Sequence, residues 1–358
     1  MNARATKMII DLNAFRENMK NIEKIAKGKT LIPVVKAMGY GTHINERVDI
    51  LKDYNIVAVA IADEGMRLRD CGYNGEILIL NQPCIDEIDE ILENNLTVGL
   101  SSFDFLNRLV EIKRDIHVHL EIETGMNRTG IKLEDIAKFV EIIKSNEFIK
   151  VDGVYTHLSI ADEDEEYTKH QYETFEKAVN IIKESFDLKY IHMSASNGIM
   201  FYEETLTNAV RPGIIMYGYS STDREINVDI KPVAKLKSKI TFIKEINEGE
   251  SVGYSRSYIS DKKMRVATIP IGYADGLRRA MSNGGEVVIN GKKAKIIGKV
   301  CMDSIMVDIT DVDASLNDEV YIWDNSLVTL EDIAKRCDTI NYEILSEISD
   351  RVPREFIN

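Results

Sequence analysis

Between residues 31 and 211, short β-branched runs alternate with helical-period segments eight times, and few folds accept that pattern. The runs are 31–36, 55–61, 76–80, 97–100, 116–122, 150–156, 190–194 and 208–211. Among the intervening segments, Leu133 to Ser145 carries Ile136, Phe139, Val140 and Ile143 at spacings of three and four. Tyr172 to Glu184 does the same with Phe175, Val179 and Ile182. Strand then helix, repeated eight times over about 200 residues, predicts a (β/α)8 TIM barrel. A further amphipathic helix, Asn13 to Lys27, precedes the first strand.

Beyond about residue 232 the pattern changes. Strands follow one another at 236–245, 264–270, 285–289, 293–298, 304–309 and 318–323, with an Asn290-Gly291 hairpin signal between two of them. One short helix, Leu330 to Cys337, is predicted behind a Thr329 N-cap. The expected class is α/β: a barrel over residues 1–232 and a mostly-β domain over 233–358, with the first ten or so residues pairing with the latter.

A formal net charge of -14 over 358 residues argues against nucleic acid or an anionic membrane surface as partner, since both call for a basic face. The acidic run 162–166 reads most simply as a solvated face. Cys71, Cys84, Cys301 and Cys337 lie far apart without metal-ligand spacing, so neither a disulfide framework nor a metal site is expected. With no charged-then-apolar leader, the expected compartment is the reducing cytoplasm.

A TIM barrel places its chemistry at the carboxyl ends of its strands and often holds phosphate after strands seven and eight. Lys36 ends strand one, Arg128 follows strand five, His157 ends strand six, Ser196 follows strand seven and Arg211 ends strand eight. Singly, each has an ordinary explanation: a solvated lysine, a satisfied core histidine, a helix cap, surface ion-pair partners. Their shared rim changes the weighing. A lysine shielded from water has a lowered pKa and becomes a usable nucleophile and base. The Ser196 hydroxyl and the Gly213 and Ile214 amides suit a phosphate monoester, and glycine lets the backbone come close. An amine beside a phosphate cradle asks for an aldehyde cofactor bearing a phosphate, pyridoxal 5'-phosphate.

The chain resembles the alanine racemase family of fold-type III pyridoxal phosphate enzymes over nearly its whole length. The ordered motifs are Val34-Val35-Lys36-Ala37 with Tyr40-Gly41, Thr124-Gly125-Met126-Asn127-Arg128-Thr129-Gly130, Tyr155-Thr156-His157, Arg211-Pro212-Gly213-Ile214 with Met216-Tyr217-Gly218, Val252-Gly253-Tyr254, Pro270-Ile271-Gly272-Tyr273-Ala274-Asp275-Gly276, and Gly298-Lys299-Val300-Cys301-Met302-Asp303. The resemblance implies an amino-acid racemase interconverting L- and D-alanine with two bases, Lys36 and Tyr254, the second reaching the site from the other subunit of a homodimer. It implies cofactor contacts from Lys36, Tyr40, His157, Ser196, Arg211, Gly213, Ile214 and Tyr217, with Arg211 donating to the pyridine nitrogen. Arg128 and Met302 fall near the cofactor hydroxyl and the substrate carboxylate, Tyr273 lines the entrance and Asp303 supports that wall.

The chain departs from the family pattern in three places. Glu121 stands where many relatives carry a carbamylated lysine, and a native carboxylate there would hold Arg128. Asp350 stands where alanine-specific enzymes usually have tyrosine, which raises serine or a broader set of substrates as an alternative. Met38-Gly39 replaces the usual Asn-Ala or Asp-Ala. Two other readings share parts of the pattern. A basic amino-acid decarboxylase would favour an acidic partner for the pyridine nitrogen, where this chain has Arg211. A non-catalytic pyridoxal phosphate-binding protein would resemble the barrel alone, without the β domain bearing Tyr254.

Overall fold

The computed structural model describes residues 4–220, 222 and 224–358. Eight parallel strands form the first sheet: Thr30–Leu31, Ile56–Val59, Glu76–Ile79, Thr97–Leu100, Ile116–Glu121, Ile149–Tyr155, Tyr190–His192 and Ala209–Val210. The first pairs with the eighth. The circle closes on the other side through a Val34–Ala58 bridge, with Val35 N donating to Ala58 O and Ala58 N to Pro33 O. Every predicted run supplies one strand, and the barrel strands are buried on both faces because helices cover the outside.

The helices form where the apolar spacing predicts them, with ends set by caps. Leu12–Ile25 starts at Asp11, whose carboxylate accepts from Ala14 N, and it buries Phe15, Met19 and Ile22. The long helix Glu165–Lys183 begins inside the acidic run. Asp164 caps it by accepting from Tyr167 N, and Glu165 and Glu166 occupy the first turn, where acidic groups oppose the helix dipole favourably. That run is therefore partly a helix start and not merely a solvated face.

The remainder builds a nine-stranded sheet in the order Phe242–Ile246, Met264–Ile269, Ile305–Asp308, Lys292–Ile297, Glu286–Ile289, Glu319–Trp323, Ala234–Lys239, Lys7–Asp11 and Arg354–Ile357. Asn290 and Gly291, both at positive φ, form the tight hairpin between two of these strands. The predicted single strand 236–245 is two strands. The chain turns at Ile240 and Thr241, leaves Glu319–Trp323 and joins Met264–Ile269. Leu330–Arg336 carries the predicted Thr329 cap. A second helix, Asn341–Ser346, follows it and packs on the segment just after Lys36. No helix among the described residues is long and apolar enough to cross a membrane.

Candidate active site

Lys36 stands where the first barrel strand runs out, at the start of a turn of unusual hand. Ala37, Met38, Gly39 and Tyr40 have φ of 51°, 53°, 62° and 54°. A left-handed position costs an L-residue roughly 1–2 kcal/mol, and Gly39 takes one of the four without that cost. The turn is held at both ends. Gly41 N donates to Ala37 O at 2.7 Å and His43 N to Met38 O at 2.8 Å. The buried Glu64 carboxylate accepts from Ala37 N and, at 2.8 Å, from Ala60 N, tying the turn to the second strand. The outcome is a fixed direction for Lys36 and a Tyr40 side chain folded back into the barrel mouth.

There Tyr40 meets the ends of strands seven and eight. Gly213 N donates to Ser196 Oγ at 3.1 Å. A Cβ at Gly213 would stand 2.6 Å from the Tyr40 hydroxyl and 3.5 Å from Ser196 Oγ, so glycine keeps this corner open. Ile214 opens the short helix Ile214–Tyr217, and its amide is one of the N–H groups a helix start leaves unpaired. The Tyr217 ring lies 4.9 Å from that of Tyr40, and its hydroxyl is buried without a hydrogen-bond partner. Burial pushes both phenols well above their usual range, so both remain O–H donors. An orphaned hydroxyl, two more hydroxyls and helix-start amides converging on a corner kept clear by glycine fit a phosphate.

Arg211 crosses the floor of this site and is 2% exposed. Its NH1 donates to His192 Nδ1 at 2.6 Å, and its NH2 donates to Thr156 O at 2.7 Å and to Met193 O at 3.1 Å. His157 Nδ1 lies 3.3 Å from the same NH2. Burial first, then the charges of Arg211, Arg128 and Lys36, pushes the His157 imidazole down to about 3, so it is a neutral ring facing the cavity. Burial is also the main cause that lowers Lys36, with Arg128 next and Glu64 opposing. These groups line one cavity of about 240 Å³, with Lys36, Tyr40, Arg128, His157, Ser196 and Arg211 on its walls. The donor set fits pyridoxal phosphate: a phosphate corner, an amine and a flat neutral ring, with a guanidinium below.

Glu121 is 4% exposed, with Oε2 unpartnered. Burial raises its carboxyl, while a Thr129 hydrogen bond and the charges of Arg128 and Arg211 oppose that rise. The other expected residues lie elsewhere in this single chain. Tyr254, Met302 and Tyr273 are 69%, 52% and 43% exposed on the β domain, and none lines the Lys36 cavity. Asp303 accepts from Arg351 NH2 at 2.7 Å, and Ala274 N bonds Met302 O, so these loops are braced together. Asp350, also outside the cavity, approaches His43 Nε2 at 3.2 Å. The sequence reading missed Glu64, Tyr342, whose ring lies 6.0 Å from Tyr40 on the cavity wall, and the histidine behind Arg211.

Known proteins resemble this chain over both of its parts. The alanine racemase N-terminal domain matches residues 10–221 and the alanine racemase C-terminal domain matches residues 233–356. An alanine racemase of Halothermothrix orenii is 36% identical, covering 100% of this chain and 99% of that protein. One of Staphylococcus carnosus is 35% identical, covering 98% and 94%. Among solved structures, alanine racemase of Clostridium difficile 630 superposes with a TM-score of 0.94 at 33% identity, covering 100% and 97%. The Bacillus anthracis alanine racemase with bound L-Ala-P also reaches 0.94, at 29% identity, covering 100% and 96%. With both of its domains matched in order and relatives aligned from end to end, the chain belongs to the alanine racemase family.

Proposed function

We propose that the chain interconverts L- and D-alanine with pyridoxal phosphate as its cofactor, using Lys36 and Tyr254 as bases on opposite faces of Cα. The observation that carries this reading is a partly desolvated Lys36 amine in one cavity with a phosphate-shaped corner and the buried Arg211. When bound, the cofactor supplies an aldehyde that condenses with amines and an electron-withdrawing ring that makes the adjacent C–H acidic. The residues do the rest. Tyr40, Ser196, Tyr217 and the Gly213 and Ile214 amides hold the phosphate. Arg211, which does not give up its proton near neutral pH, donates to the ring nitrogen and keeps it unprotonated. His157 packs on the ring.

Lys36, its pKa lowered by burial, takes or returns the Cα proton on one face. A planar carbon inverts only if the proton returns on the other face, which is the task of Tyr254. Its exposure, with that of Met302 and Tyr273, supports a homodimer in which each copy completes the other's site. On this reading the chain divides near residue 232 into a cofactor-holding barrel and a β domain that works on the neighbouring copy. Arg128 and the Met302 amide hold the substrate carboxylate, Tyr273 lines the entrance, and Asp303 and Asp350 shape that wall.

The test is a single incubation of the holoenzyme with L-alanine in deuterated buffer, following optical rotation and Cα deuterium together. Two bases predict loss of rotation in step with deuterium uptake. Deuterium uptake with rotation retained would overturn the reading. Parallel incubations with L-serine and L-lysine measure how far Asp350 widens the pocket, a contrast worth roughly 1–3 kcal/mol per small group.

A further inference from the structure

Arg211 is a buried cation with no carboxylate at ion-pair distance, Glu121 acting on it only through space. It makes no ion pair among the described residues; carbonyls and two imidazole nitrogens surround its guanidinium. Behind it, however, a row of polar groups crosses the barrel interior. Arg211 NH1 lies 2.6 Å from His192 Nδ1, and His192 Nε2 lies 2.9 Å from His119 Nδ1. His119 Nε2 lies 3.2 Å from Glu76 Oε1, and Lys189 Nζ lies 3.3 Å from Glu76 Oε2. Both histidines are 0% exposed, the Glu76 side chain 15% and that of Lys189 59%. Glu76 begins its strand, whereas Arg211 follows the end of its own, so the row joins the two mouths of the barrel.

The chemistry of one end assigns every proton. A guanidinium only donates, so His192 Nδ1 must be bare and its proton must sit on Nε2. That N–H donates to His119 Nδ1, which places the His119 proton on Nε2, toward Glu76. Extra protonation of either ring would set two hydrogens face to face. Ring packing fixes the planes: Tyr155 stacks on His192 at 5.0 Å and 4°, and Tyr190 lies 5.5 Å from His119. Burial, then Arg211 and His119, holds His192 far below the usual imidazole value. Burial pushes Glu76 up, but His119 and Lys189 outweigh it and leave an ionised carboxylate. The His119–Glu76 joint, at 3.2 Å, falls short of a full hydrogen bond, so the Glu76 carboxylate acts there on the N–H dipole of the neutral His119 ring.

We propose that Glu76 is the remote counter-ion of Arg211, acting through His119 and His192 in fixed Nε2–H tautomers to set how strongly Arg211 donates to the cofactor's ring nitrogen. This makes Glu76 a positioning residue, and it rests on the reading that Arg211 faces that nitrogen. The carboxylate polarises His119, which makes His192 Nδ1 a better acceptor and draws the Arg211 charge away from the cofactor. Removing the carboxylate returns that charge to the ring.

The experiment uses the holoenzyme and nitrogen resonances. With 15N-labelled histidine, His119 and His192 are expected as neutral rings protonated on Nε2. A proton on Nδ1 of His192, or an imidazolium there, would overturn the relay without any substitution. With 15N in the cofactor ring, Glu76→Gln is expected to shift the ring-nitrogen resonance toward its protonated position at unchanged circular dichroism. An unmoved resonance would also overturn it. Failure of the protein to load pyridoxal phosphate at Lys36 would instead remove the reading on which the relay rests, and the relay with it.

Discussion

The barrel mouth and the exposed face of the β domain differ in how finished they are. At the mouth, Arg211, Tyr40, Ser196 and Tyr217 are buried and held by contacts within the chain. On the β domain, Tyr254, Met302 and Tyr273 stand in the open. Cofactor binding needs rigid donors in place before the ligand arrives. A base that must approach from the opposite face is supplied more simply by a second copy than by threading the same chain across its own pocket. On the proposed function, the cofactor half of the site is a property of the fold and the second base a property of assembly.

The sharpest cut at this contrast is Lys36→Ala, expected to abolish turnover and the yellow absorbance of bound cofactor together, read by polarimetry and visible spectroscopy. Tyr254→Phe should keep the absorbance and lose roughly 10²–10⁴-fold in racemisation, the usual worth of a positioned proton donor. Mixing the two inactive variants should restore partial activity as subunits exchange, because one site in the mixed dimer has both bases. No recovery would erase the distinction between a fold-borne and an assembly-borne half.

Gly213→Ala probes the finished half alone. Its new methyl would meet the Tyr40 hydroxyl at 2.6 Å and fill the phosphate corner. Overpacking of this kind costs about 1–3 kcal/mol, so the cofactor dissociation constant should rise roughly 10- to 100-fold while the dimer persists. Equilibrium titration of the apoenzyme with sedimentation as control measures both. Glu121→Ala should do less. Arg128 is exposed, and Glu121 is proposed to steady it, a coupling of about 1 kcal/mol or roughly fivefold in KM for alanine, with kcat little changed. An unaltered KM would show that Arg128 is placed without it.

The same two regions differ in how far sequence exposes them. Barrel strands and helices were legible because their signals are local: period, caps, Gly and Asn turns. Lys36, Ser196, Arg211 and Gly213 were legible because a barrel sends strand ends to one rim. The split at Ile240 was not, since it depends on which distant strand, Glu319–Trp323 or Met264–Ile269, offers a partner. Glu64 gave no signal either, as its role is to bridge the nearby Ala60 amide to that of Ala37, which is distant in the chain. His119 and His192 sit in strands buried on both faces, where alternation no longer separates a core position from a functional one.

The smallest effect concerns acid. His157 binds its proton near pH 3 in the folded chain, whereas an imidazole in an unfolded chain does so near 6.5. Between those values the unfolded chain binds more protons, so stability falls as pH falls through that window and is unaffected by His157 above it. The neutral ring at the barrel mouth therefore should not titrate where the enzyme works. Cofactor affinity, measured from pH 8 down to 6.5, should show no inflection from this residue, and the thermal midpoint of the apoenzyme should begin to drop only below that range. His157→Asn should flatten part of that acid-side drop. If affinity instead broke near pH 6.5 in the parent and not in the variant, the ring would be titrating in the folded site, and the mouth would be wetter and less finished than its burial implies.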